Sequence, residues 1–530
     1  MMLLRSTLTL ACAACLLIGL HSPATVTAAT DSTSENGFVS IFDGTSLGGW
    51  DGNPEFWRVE NGAIVGETTD AKPTKGNTFL IWRQGELDDF ELRLLFRLRN
   101  HNSGIQYRSH DFGGHAVGGY QADIAEITAP FCGILYEERG RGILAKRGER
   151  IEISPSGTKQ AGEPIGTAEA LGKSIKANDW NEYHIVARGN HLQHFINGQL
   201  MSETTDNQAD KRSMQGILAL QLHAGPPMKV EFKDIRLKRL RLTDGRKKLV
   251  LVAGRASHAQ GAHEFRAGCL LFKECLDNAL ADQLITTVYT DGWPEDPTAF
   301  TNADGILLFA DGGKGHPVIQ SNRLAQIDAL ARRGVGIACL HYGVEVPKEK
   351  GGPEFLNWIG GYFETDWSVN PTWVLAATEL AEGHPICRGV KPFEVNDEWY
   401  YHMRFREPSG AVTAILTAIP PDSTRERPDG AHSNNPTVRS SKGAREVLAW
   451  AYERPDGGRG FGCTGGHFHA NWGNDEFRKL MLNALAWTSG LDVPDAGISS
   501  TVNEDQLEAN LDPPPPPRKK TKPVSKPNAS

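Results

Sequence analysis

The first half of the 530-residue chain contains a group of polar side chains that could transfer protons and bind a polyhydroxylated ligand. The stretch 119–124 (GYQADI) alternates so that Gln121 and Asp123 share one strand face, and Gln221 and His223 share a face in the same way. Carboxylates, an imidazole, a phenol and amides together suit a polyhydroxylated ligand and general acid–base catalysis. The predicted catalytic candidates are Asp123, His223, Glu138 and Tyr136. The predicted substrate-binding candidates are Asn102, Ser103, Tyr107, Arg108, Gln121, Arg139 and Gln221.

Histidines follow predicted strand ends in the second half of the chain. His341 comes directly after the apolar run 336–340, and His258 follows the run 249–253. In α/β folds, sites form at the carboxyl ends of the strands, where such side chains meet. Imidazole serves both as a metal ligand and as an acid–base group, and the sequence leaves these two roles open. The predicted second site contains His258, His341, His467 and His469.

The elements that carry the first group are strands. Short apolar alternations run from about residue 38 to residue 240, with clear strands at 90–99, 183–188, 194–196, 216–222 and 229–236. Asn197-Gly198 between two such runs predicts a tight hairpin turn. Because helical periodicity is almost absent, we predict an antiparallel β-sandwich of about 200 residues.

The elements that carry the second group alternate between strand and helix. Buried strands are predicted at 249–253, 304–309 and 336–340, and helices at 264–279, 321–333 and 475–488. This alternation predicts an α/β domain with a mainly parallel sheet.

Composition limits the class of protein further. Hydrophobic residues make up 39% of the chain and charged residues 23%, which excludes a largely disordered or fibrous protein. The net charge of −8 argues against a nucleic-acid partner, whose binding needs a basic surface. No segment beyond residue 29 is long and apolar enough to predict a membrane span. The cysteines beyond residue 29 are scattered, which favours buried free thiols over a disulfide framework.

The two ends of the chain predict export and a flexible tail. Arg5 precedes an apolar run at 8–20, and small residues at 26–29 offer a cleavage site, so residues 1–29 are interpreted as a secretory signal. A lipoprotein signal at Cys15 is the alternative. We expect a secreted or periplasmic protein. Residues 491–530 end in a Pro-rich, cationic segment, which predicts a disordered tail acting as a surface contact or a spacer.

A series of short motifs in the first half occurs in a characteristic order. They are 42–50 (FDGTSLGGW), 102–108 (NSGIQYR), 119–124 (GYQADI), 179–181 (DWN), 197–198 (NG) and 216–223 (GILALQLH). Together they resemble the 3-keto-disaccharide hydrolase family of bacterial carbohydrate catabolism. The resemblance implies a concanavalin A-like jelly roll over residues 37–242 that cleaves 3-keto-glycosides. A sugar 3-dehydrogenase acting earlier in the pathway would supply the oxidised substrate. A non-catalytic carbohydrate-binding module is the alternative function.

Cleavage of a 3-keto-glycoside needs a base, a partner for the developing oxyanion and an acid. The ketone acidifies the hydrogen on carbon 2, the enolate expels the glycosidic oxygen, and water then adds. The candidates are His223 or Asp123 as base, Tyr136 or Glu138 as acid, and Arg108, Asn102 or a divalent cation at the enolate oxygen. We expect one pocket to gather Asn102, Arg108, Asp123, Tyr136 and His223.

Motifs in the second half resemble those of another family. They are Gly254 with His258 and His263, 339–343 (CLHYG), 383–386 (GHPI), 398–400 (EWY) and 465–472 (GGHFHANW). The region 247–490 is similar to the trehalose-utilisation (ThuA-like) family, itself similar to class I glutamine amidotransferases. The resemblance implies an amidotransferase-like α/β domain acting on a related keto-sugar. However, His341 matches the position of the amidotransferase cysteine, and Cys339 falls inside the preceding strand. Because Asn471 also replaces the glutamate of the His-x-Glu motif, we predict that Cys339 is not a nucleophile.

Overall fold

A computed structural model of the chain describes residues 35–126, 129–376, 378–408 and 411–513. The predicted secretory signal and the Pro-rich end beyond residue 513 lie outside the described residues. Among the described residues, no helix has the length and hydropathy needed to cross a membrane.

The first half of the described chain forms strands and one short α-helix. In chain order they are β1 (Val39–Ser40), β2 (Trp50–Asp51), β3 (Trp57–Glu60), β4 (Ala63–Glu67), β5 (Thr78–Leu87), β6 (Phe90–Arg99), β7 (Asn102–Asp111), β8 (Val117–Ala125), β9 (Leu135–Glu138), β10 (Gly142–Ala145), β11 (Arg150–Ile153), β12 (Lys159–Ala161), α1 (Ala168–Gly172), β13 (Asn181–Arg188), β14 (His191–Ile196), β15 (Gln199–Asp206), β16 (Gly216–Leu222) and β17 (Lys229–Arg239).

These strands form two sheets that pack face to face. One sheet has the order β12-β11-β15-β14-β13-β6-β17-β4-β3 with β1 beside β17, and the other has the order β10-β9-β8-β7-β16-β5-β2. Alternate residues of each sheet, such as Leu92 and Leu94 of β6 and Ile105 and Tyr107 of β7, bury their side chains between the sheets. The predicted β-sandwich is therefore confirmed. Its pairings are antiparallel apart from the parallel pair β11–β15.

The second half alternates between strands and helices. In chain order they are β18 (Lys247–Ala253), α2 (Phe265–Leu280), β19 (Leu284–Tyr289), β20 (Gly305–Phe309), α3 (Arg323–Ala331), β21 (Gly336–Leu340), α4 (Gly352–Trp358), β22 (Gly361–Tyr362), β23 (Thr372–Leu375), β24 (Glu379–Leu380), β25 (Val395–Glu398), β26 (Arg404–Phe405), β27 (Thr413–Ala418), α5 (Pro436–Ser440), β28 (Glu446–Glu453), β29 (Arg459–Cys463), α6 (Asp475–Thr488) and α7 (Glu504–Glu508).

The main sheet of this half is mixed and covered on both faces. Its order is β19-β18-β20-β21-β29-β28-β27-β24, and the pairs from β19 to β29 are parallel whereas those from β29 to β24 are antiparallel. Leu249 and Leu251 of β18 face α2 and α6, while Val250 and Val252 face α3 and α4. The α/β domain is confirmed, and its sheet is parallel over five of the eight strands.

The segment after α6 departs from the sequence interpretation. Residues 491–513 were expected to belong to a disordered tail, but Val493 and Ile498 are buried against the helices of the second half. The Leu507 carbonyl lies 3.0 Å from His469 Nε2, and the Asp512 N–H donates to Glu264. The tail prediction is therefore wrong for residues 491–513. The apolar side chains of this segment show no periodicity in the sequence, but they pack against the helices of the second half.

The turn between β5 and β6 joins the two halves through buried charges. Asp88 accepts hydrogen bonds from Lys248 Nζ at 2.6 Å and from Arg239 at 3.3 Å, and Arg239 also donates to Asp296 at 2.7 Å. Burial alone would raise the pKa of Asp88, but the facing Lys248 and Arg239 charges hold it at about 2. The interface therefore buries paired ions.

Candidate functional site

One face of the β7, β8, β9 and β16 strands carries a row of polar side chains. Antiparallel register sets Gly104 of β7 opposite Asp123 of β8, and Gln121 opposite Tyr136 of β9. Residues that lie opposite each other in neighbouring strands point to the same face of the sheet. Every second residue of each strand therefore contributes its side chain to that face. These polar groups share the face that is turned away from the other sheet.

Asp123 is the most strongly perturbed acid on this face. Its side chain is buried, with Oδ1 accepting from Gln121 Nε2 at 2.5 Å and Oδ2 accepting from Asn102 Nδ2 at 3.1 Å. Burial raises the pKa of Asp123 to about 7, against the lowering effect of the two amide donors. A carboxyl group with this pKa exchanges a proton readily at neutral pH.

A chain of buried polar groups fixes the amide that faces Asp123. Ser109 Oγ donates to Gln106 Oε1, Gln106 Nε2 donates to Gln121 Oε1, and the Gln121 amide then presents its N–H to Asp123. Gly104 makes room for this chain because a Cβ on it would overlap the Gln121 side chain. The strand therefore needs glycine opposite Asp123 to hold the donor in place.

A pocket of about 500 Å³ opens over this face. Seven of the eleven predicted residues of the first half line it: Asn102, Gln121, Asp123, Tyr136, Glu138, Gln221 and His223. Burial, together with the nearby Glu138 and Asp123 charges, raises the pKa of Tyr136, so its phenol stays protonated at neutral pH. His223 Nδ1 lies 2.6 Å from the Ala224 carbonyl, which only accepts hydrogen bonds, so in the neutral ring Nε2 is the acceptor.

Gln221 is the clearest sign that the pocket takes a polar ligand. Its side chain is fully buried, yet neither the amide nitrogen nor the amide oxygen has a hydrogen-bond partner. An unpaired buried amide costs about 1–3 kcal/mol per polar group, and a ligand with donors and acceptors removes that cost.

Other lining residues were missed by the sequence analysis. Asn77 donates to Glu138 and accepts from the Ala224 N–H, and the His101 ring lies 4.7 Å from the His223 ring. Phe131 is 44% exposed at the pocket wall, as an aromatic platform for a sugar would be. No sequence pattern marks His101, because its position in the pocket follows from the positive φ that Asn100 and His101 adopt before β7.

Arg108 was predicted for the site, and the structure corrects this assignment. A bulge in β7 between Tyr107 and His110 gives Arg108 a φ of 47° and turns its side chain away from the pocket. The guanidinium is fully buried, with hydrogen bonds to Asp89 at 2.8 Å and to the carbonyls of Asp88 and Gly189. Arg108 therefore cannot stabilise an oxyanion in the pocket.

The other predicted binding residues also lie outside the pocket. Tyr107 is buried between the sheets with its hydroxyl 2.9 Å from His194, and Ser103 donates to the Gln221 carbonyl. Arg139 is exposed beyond the end of β9 and stacks on Phe112. Ser103 and Tyr107 point to the core because they alternate with Asn102 and Gln106, and Arg139 belongs to the turn after the strand.

A second cluster forms at the carboxyl end of the parallel strands of the second half. His258 follows β18, Asp311 follows β20, His341 follows β21 and His467 follows β29, while Glu398 ends β25. His263 precedes α2, and its ring lies between His341, His467 and Asp311. The ligand atoms of His263, His341, Glu398 and His467 all lie within 4.8 Å of one another, as do those of His258, His263 and Asp311. His263, Asp311 and Glu398 were absent from the predicted site.

His341 and His467 are held in place by their surroundings. His341 has a φ of 50°, and its Nδ1 lies 2.8 Å from the Thr464 carbonyl. Burial and the His263 ring lower the pKa of His341 well below its ordinary value. Asp397 accepts hydrogen bonds from the backbone N–H groups of Gly466 and His467 and so fixes the loop after β29.

Two further residues of this half do not join the cluster. His469 was predicted for the second site, but its Nε2 lies 3.0 Å from the Leu507 carbonyl, so it packs against the C-terminal segment instead. This assignment is wrong because the loop after His467 directs the His469 side chain towards Leu507 of the C-terminal segment. Cys339 lies within β21, fully buried, and burial raises the pKa of its thiol.

Family models account for both halves of the chain. Residues 37–238 match the model of the 3-keto-alpha-glucoside-1,2-lyase-like domain, and residues 257–488 match the trehalose utilisation (ThuA) model. The chain joins a lyase-like domain to a ThuA domain. The two resemblances inferred from the motifs are thereby confirmed.

Solved structures similar to single domains include three of low identity. A candidate glycosyl hydrolase from Parabacteroides distasonis is 18% identical, covering 37% of this chain and 95% of its own, with a TM-score of 0.27. The carbohydrate-binding module CBM66 from Bacillus subtilis is 13% identical, covering 36% and 95%, with a TM-score of 0.25. A ThuA-like protein from Bacteroides uniformis is 15% identical, covering 48% and 96%, with a TM-score of 0.35. No curated protein matches the chain.

Proposed function

We propose that the lyase-like domain cleaves 3-keto-glycosides by elimination followed by hydration, with Asp123 as the base. The observation that carries this proposal is a buried carboxyl group, with a pKa of about 7, in the wall of a polar pocket. A binding module needs no such acid, because sugar recognition works through fixed donors and acceptors. A base that removes a carbon-bound proton works best when its pKa lies near the operating pH.

Each proton in the reaction has a residue that can carry it. Ionised Asp123 takes the hydrogen from carbon 2, the bond between carbon 1 and the glycosidic oxygen breaks, and Tyr136 gives that oxygen its proton. Water then adds its oxygen to carbon 1, while protonated Asp123 returns a hydrogen to carbon 2 and the Tyr136 phenolate takes the remaining proton. The sum of these steps is hydrolysis, with no oxidant or reductant consumed.

The enolate oxygen needs a donor that is free before substrate binds. Gln221 Nε2 is buried and unpaired, whereas the Asn102 amide is occupied by Asp123 and Arg108 lies elsewhere. We therefore assign Gln221 as the donor to this oxygen, a contact that strengthens as negative charge develops. His223 Nε2 remains to accept a hydrogen bond from a sugar hydroxyl.

This function places the protein in a larger reaction sequence. The ketone at carbon 3 must come from a preceding oxidation of the sugar, which fits a sugar 3-dehydrogenase as the supplying enzyme. The apolar run at 8–20 and the small residues at 26–29 support export, and we propose a secreted or periplasmic location. The ThuA domain would act on a related keto-sugar.

The test is release of sugar by the full chain. We expect 3-keto-glucose and glucose from 3-keto-trehalose, and 3-keto-glucose and the free aglycone from other 3-keto-glucosides. Trehalose should not be cleaved, because only the ketone acidifies the hydrogen on carbon 2. Products are followed by chromatography at pH 8, with and without divalent cations. Binding of 3-keto-trehalose without release of sugar under either condition would refute the enzyme and support a carbohydrate-binding module.

A further inference from the structure

The histidine cluster of the ThuA domain lies apart from the pocket of the lyase-like domain and plays no part in the reaction proposed for it. Its inward-facing atoms are Nε2 of His263, Nε2 of His341, Nδ1 of His467 and Oε2 of Glu398. They form a closed ring of short distances: 3.1 Å from His341 to His263, 2.9 Å from His263 to His467, 3.2 Å from His467 to Glu398, and 3.6 Å from Glu398 to His341.

Hydrogen bonds alone do not satisfy this ring. His341 Nδ1 faces the Thr464 carbonyl and must carry the proton of the neutral ring, so its Nε2 is an acceptor, to which the Tyr400 hydroxyl, 3.1 Å away, can donate. His263 Nε2 has one proton at most, yet it lies within hydrogen-bond distance of nitrogen atoms on both His341 and His467. A Glu398 oxygen adds further negative charge. The centre is therefore rich in lone pairs and short of protons.

The spacing is that of ligands around a common ion. Zinc binds imidazole nitrogen and carboxylate oxygen at about 2.0–2.2 Å, which sets neighbouring ligand atoms about 3–4 Å apart. Imidazole ligands favour zinc and related first-row divalent metals over calcium or magnesium, which prefer oxygen.

The surroundings of His263 supply a second, independent observation. Its Nδ1 is buried without a hydrogen-bond partner, and the nearest acid is Asp311, whose Oδ1 lies 3.7 Å away. A histidine that binds metal through one nitrogen commonly directs the N–H of the other towards a carboxylate. Binding through Nε2 would put the His263 proton on Nδ1, facing Asp311.

We propose that the ThuA domain binds one divalent first-row transition-metal ion through His263, His341, His467 and Glu398. Glu398 and His467 are 19% and 18% exposed, whereas the two other ligands are almost fully buried, so the ion reaches the site from their side. The ion would supply Lewis acidity at the carboxyl end of the sheet, where ligands of α/β proteins bind.

The experiment is metal binding by the full chain, carrying no polyhistidine tag. Chelator-treated protein is dialysed against Zn²⁺, and bound zinc is measured by mass spectrometry, with affinity taken from competition with a chromophoric chelator. We expect one zinc per chain, and a visible absorption spectrum when Co²⁺ replaces it. Glu398→Gln and His467→Asn change the two partly exposed ligands, which leaves the buried core intact, and each should weaken affinity at least about 10-fold.

His469→Asn is the matched control, because His469 is a nearby buried histidine that contacts Leu507 and lies outside the ring. It should bind zinc as the wild type does. Circular dichroism checks that every variant is folded. Failure of the wild type to bind zinc or cobalt in stoichiometric amount would overturn the proposal, and so would equal affinity in the wild type and both ligand variants. Neither result depends on sugar cleavage by the lyase-like domain.

Discussion

Asp123 shows at the residue scale how one environment sets a catalytic pKa. Burial favours the neutral acid, while the amide N–H groups of Gln121 and Asn102 favour the carboxylate. The balance at about 7 leaves both protonation states populated at neutral pH. A base must be ionised to act, so kcat/KM should rise with pH through this value.

The first prediction concerns that pH profile. Asn102→Ala removes a donor that stabilises the carboxylate, so the pKa of Asp123 should rise and the ascending limb should move to higher pH. Hydrogen bonds to charged groups contribute about 1.5–3 kcal/mol, which corresponds to a shift of about one to two pH units. Rates of 3-keto-trehalose cleavage between pH 5 and 10 measure it. Asn77→Ala, which changes a lining residue that does not contact Asp123, should leave the limb in place. A limb that moves to lower pH in Asn102→Ala would contradict Asp123 as the base.

The second prediction tests the correction to Arg108. Arg108→Met keeps most of the side-chain volume but leaves the buried Asp89 with a weaker set of partners, at a cost of about 3–5 kcal/mol in the free energy of unfolding. Urea unfolding measures this loss, and kcat/KM of the folded variant should stay within about twofold of the wild type. A large fall in kcat/KM with unchanged stability would return Arg108 to the active site.

Sequence reasoning at this scale succeeded where strand alternation holds. Asp123, Gln121, Gln221 and His223 lie where a period of two puts them. Arg108 failed because a bulge adds a residue and reverses the face, and the sequence around it carries no glycine that marks the bulge.

At the scale of elements, β7 positions the pocket through a residue without a side chain. Gly104 lies opposite Asp123, and the Gln121 side chain occupies the space that a Cβ on residue 104 would need. Strand β7 therefore determines the orientation of a donor that belongs to its neighbour β8.

The third prediction is that Gly104→Ala disrupts this arrangement. The added methyl group should displace Gln121, destabilise the protein by about 1–3 kcal/mol and move the ascending limb of the pH profile upwards, since Asp123 loses a donor. Thermal unfolding and the pH profile are the two measurements. Gly76→Ala is the control, because no atom lies within 4 Å of a Cβ placed there. Identical behaviour of the two variants would mean that the close packing of Gln121 has no consequence.

The ThuA cluster shows what element prediction can and cannot find. Predicted strand ends at 253 and 340 indicated His258 and His341, because carboxyl ends of parallel strands meet. His467 was indicated by the motif at 465–472. Glu398 was missed as a site residue because it ends a strand of a separate two-stranded sheet, whose position depends on long loops. His263 lies in the loop before α2 and is brought in by tertiary packing.

At the scale of the whole molecule, the two domains share a buried ionic interface. Lys248 and Asp296 of the second half meet Asp88 and Arg239 of the first, with each side chain almost fully buried. Such a network depends on complete pairing, because a charge left alone in the interior is costly. The sequence did not reveal it, since these residues are ordinary turn and strand-end charges until the domains pack.

The fourth prediction addresses this coupling. Asp88→Ala leaves Arg239 paired with Asp296 but removes the carboxylate that pairs with Lys248, and should lower the free energy of unfolding by about 3–5 kcal/mol. Calorimetry should also show the melting transitions of the two domains moving apart. Asp70→Ala, at an exposed aspartate of the first domain, should change neither quantity. A variant at Asp88 that melts like the wild type would show that the interface charges do not couple the domains.

Turnover and affinity measured together on Asp123→Asn test most directly whether the lyase-like domain is an enzyme. The substitution keeps the shape of the side chain and removes its capacity to take a proton, so cleavage of 3-keto-trehalose should fall by about 10²–10⁴-fold. Calorimetric affinity for the same sugar should change by less than about 10-fold. Asp111→Asn, at a partly exposed ion pair of the same sheet, should cleave normally. Wild-type turnover by Asp123→Asn would contradict the proposed mechanism.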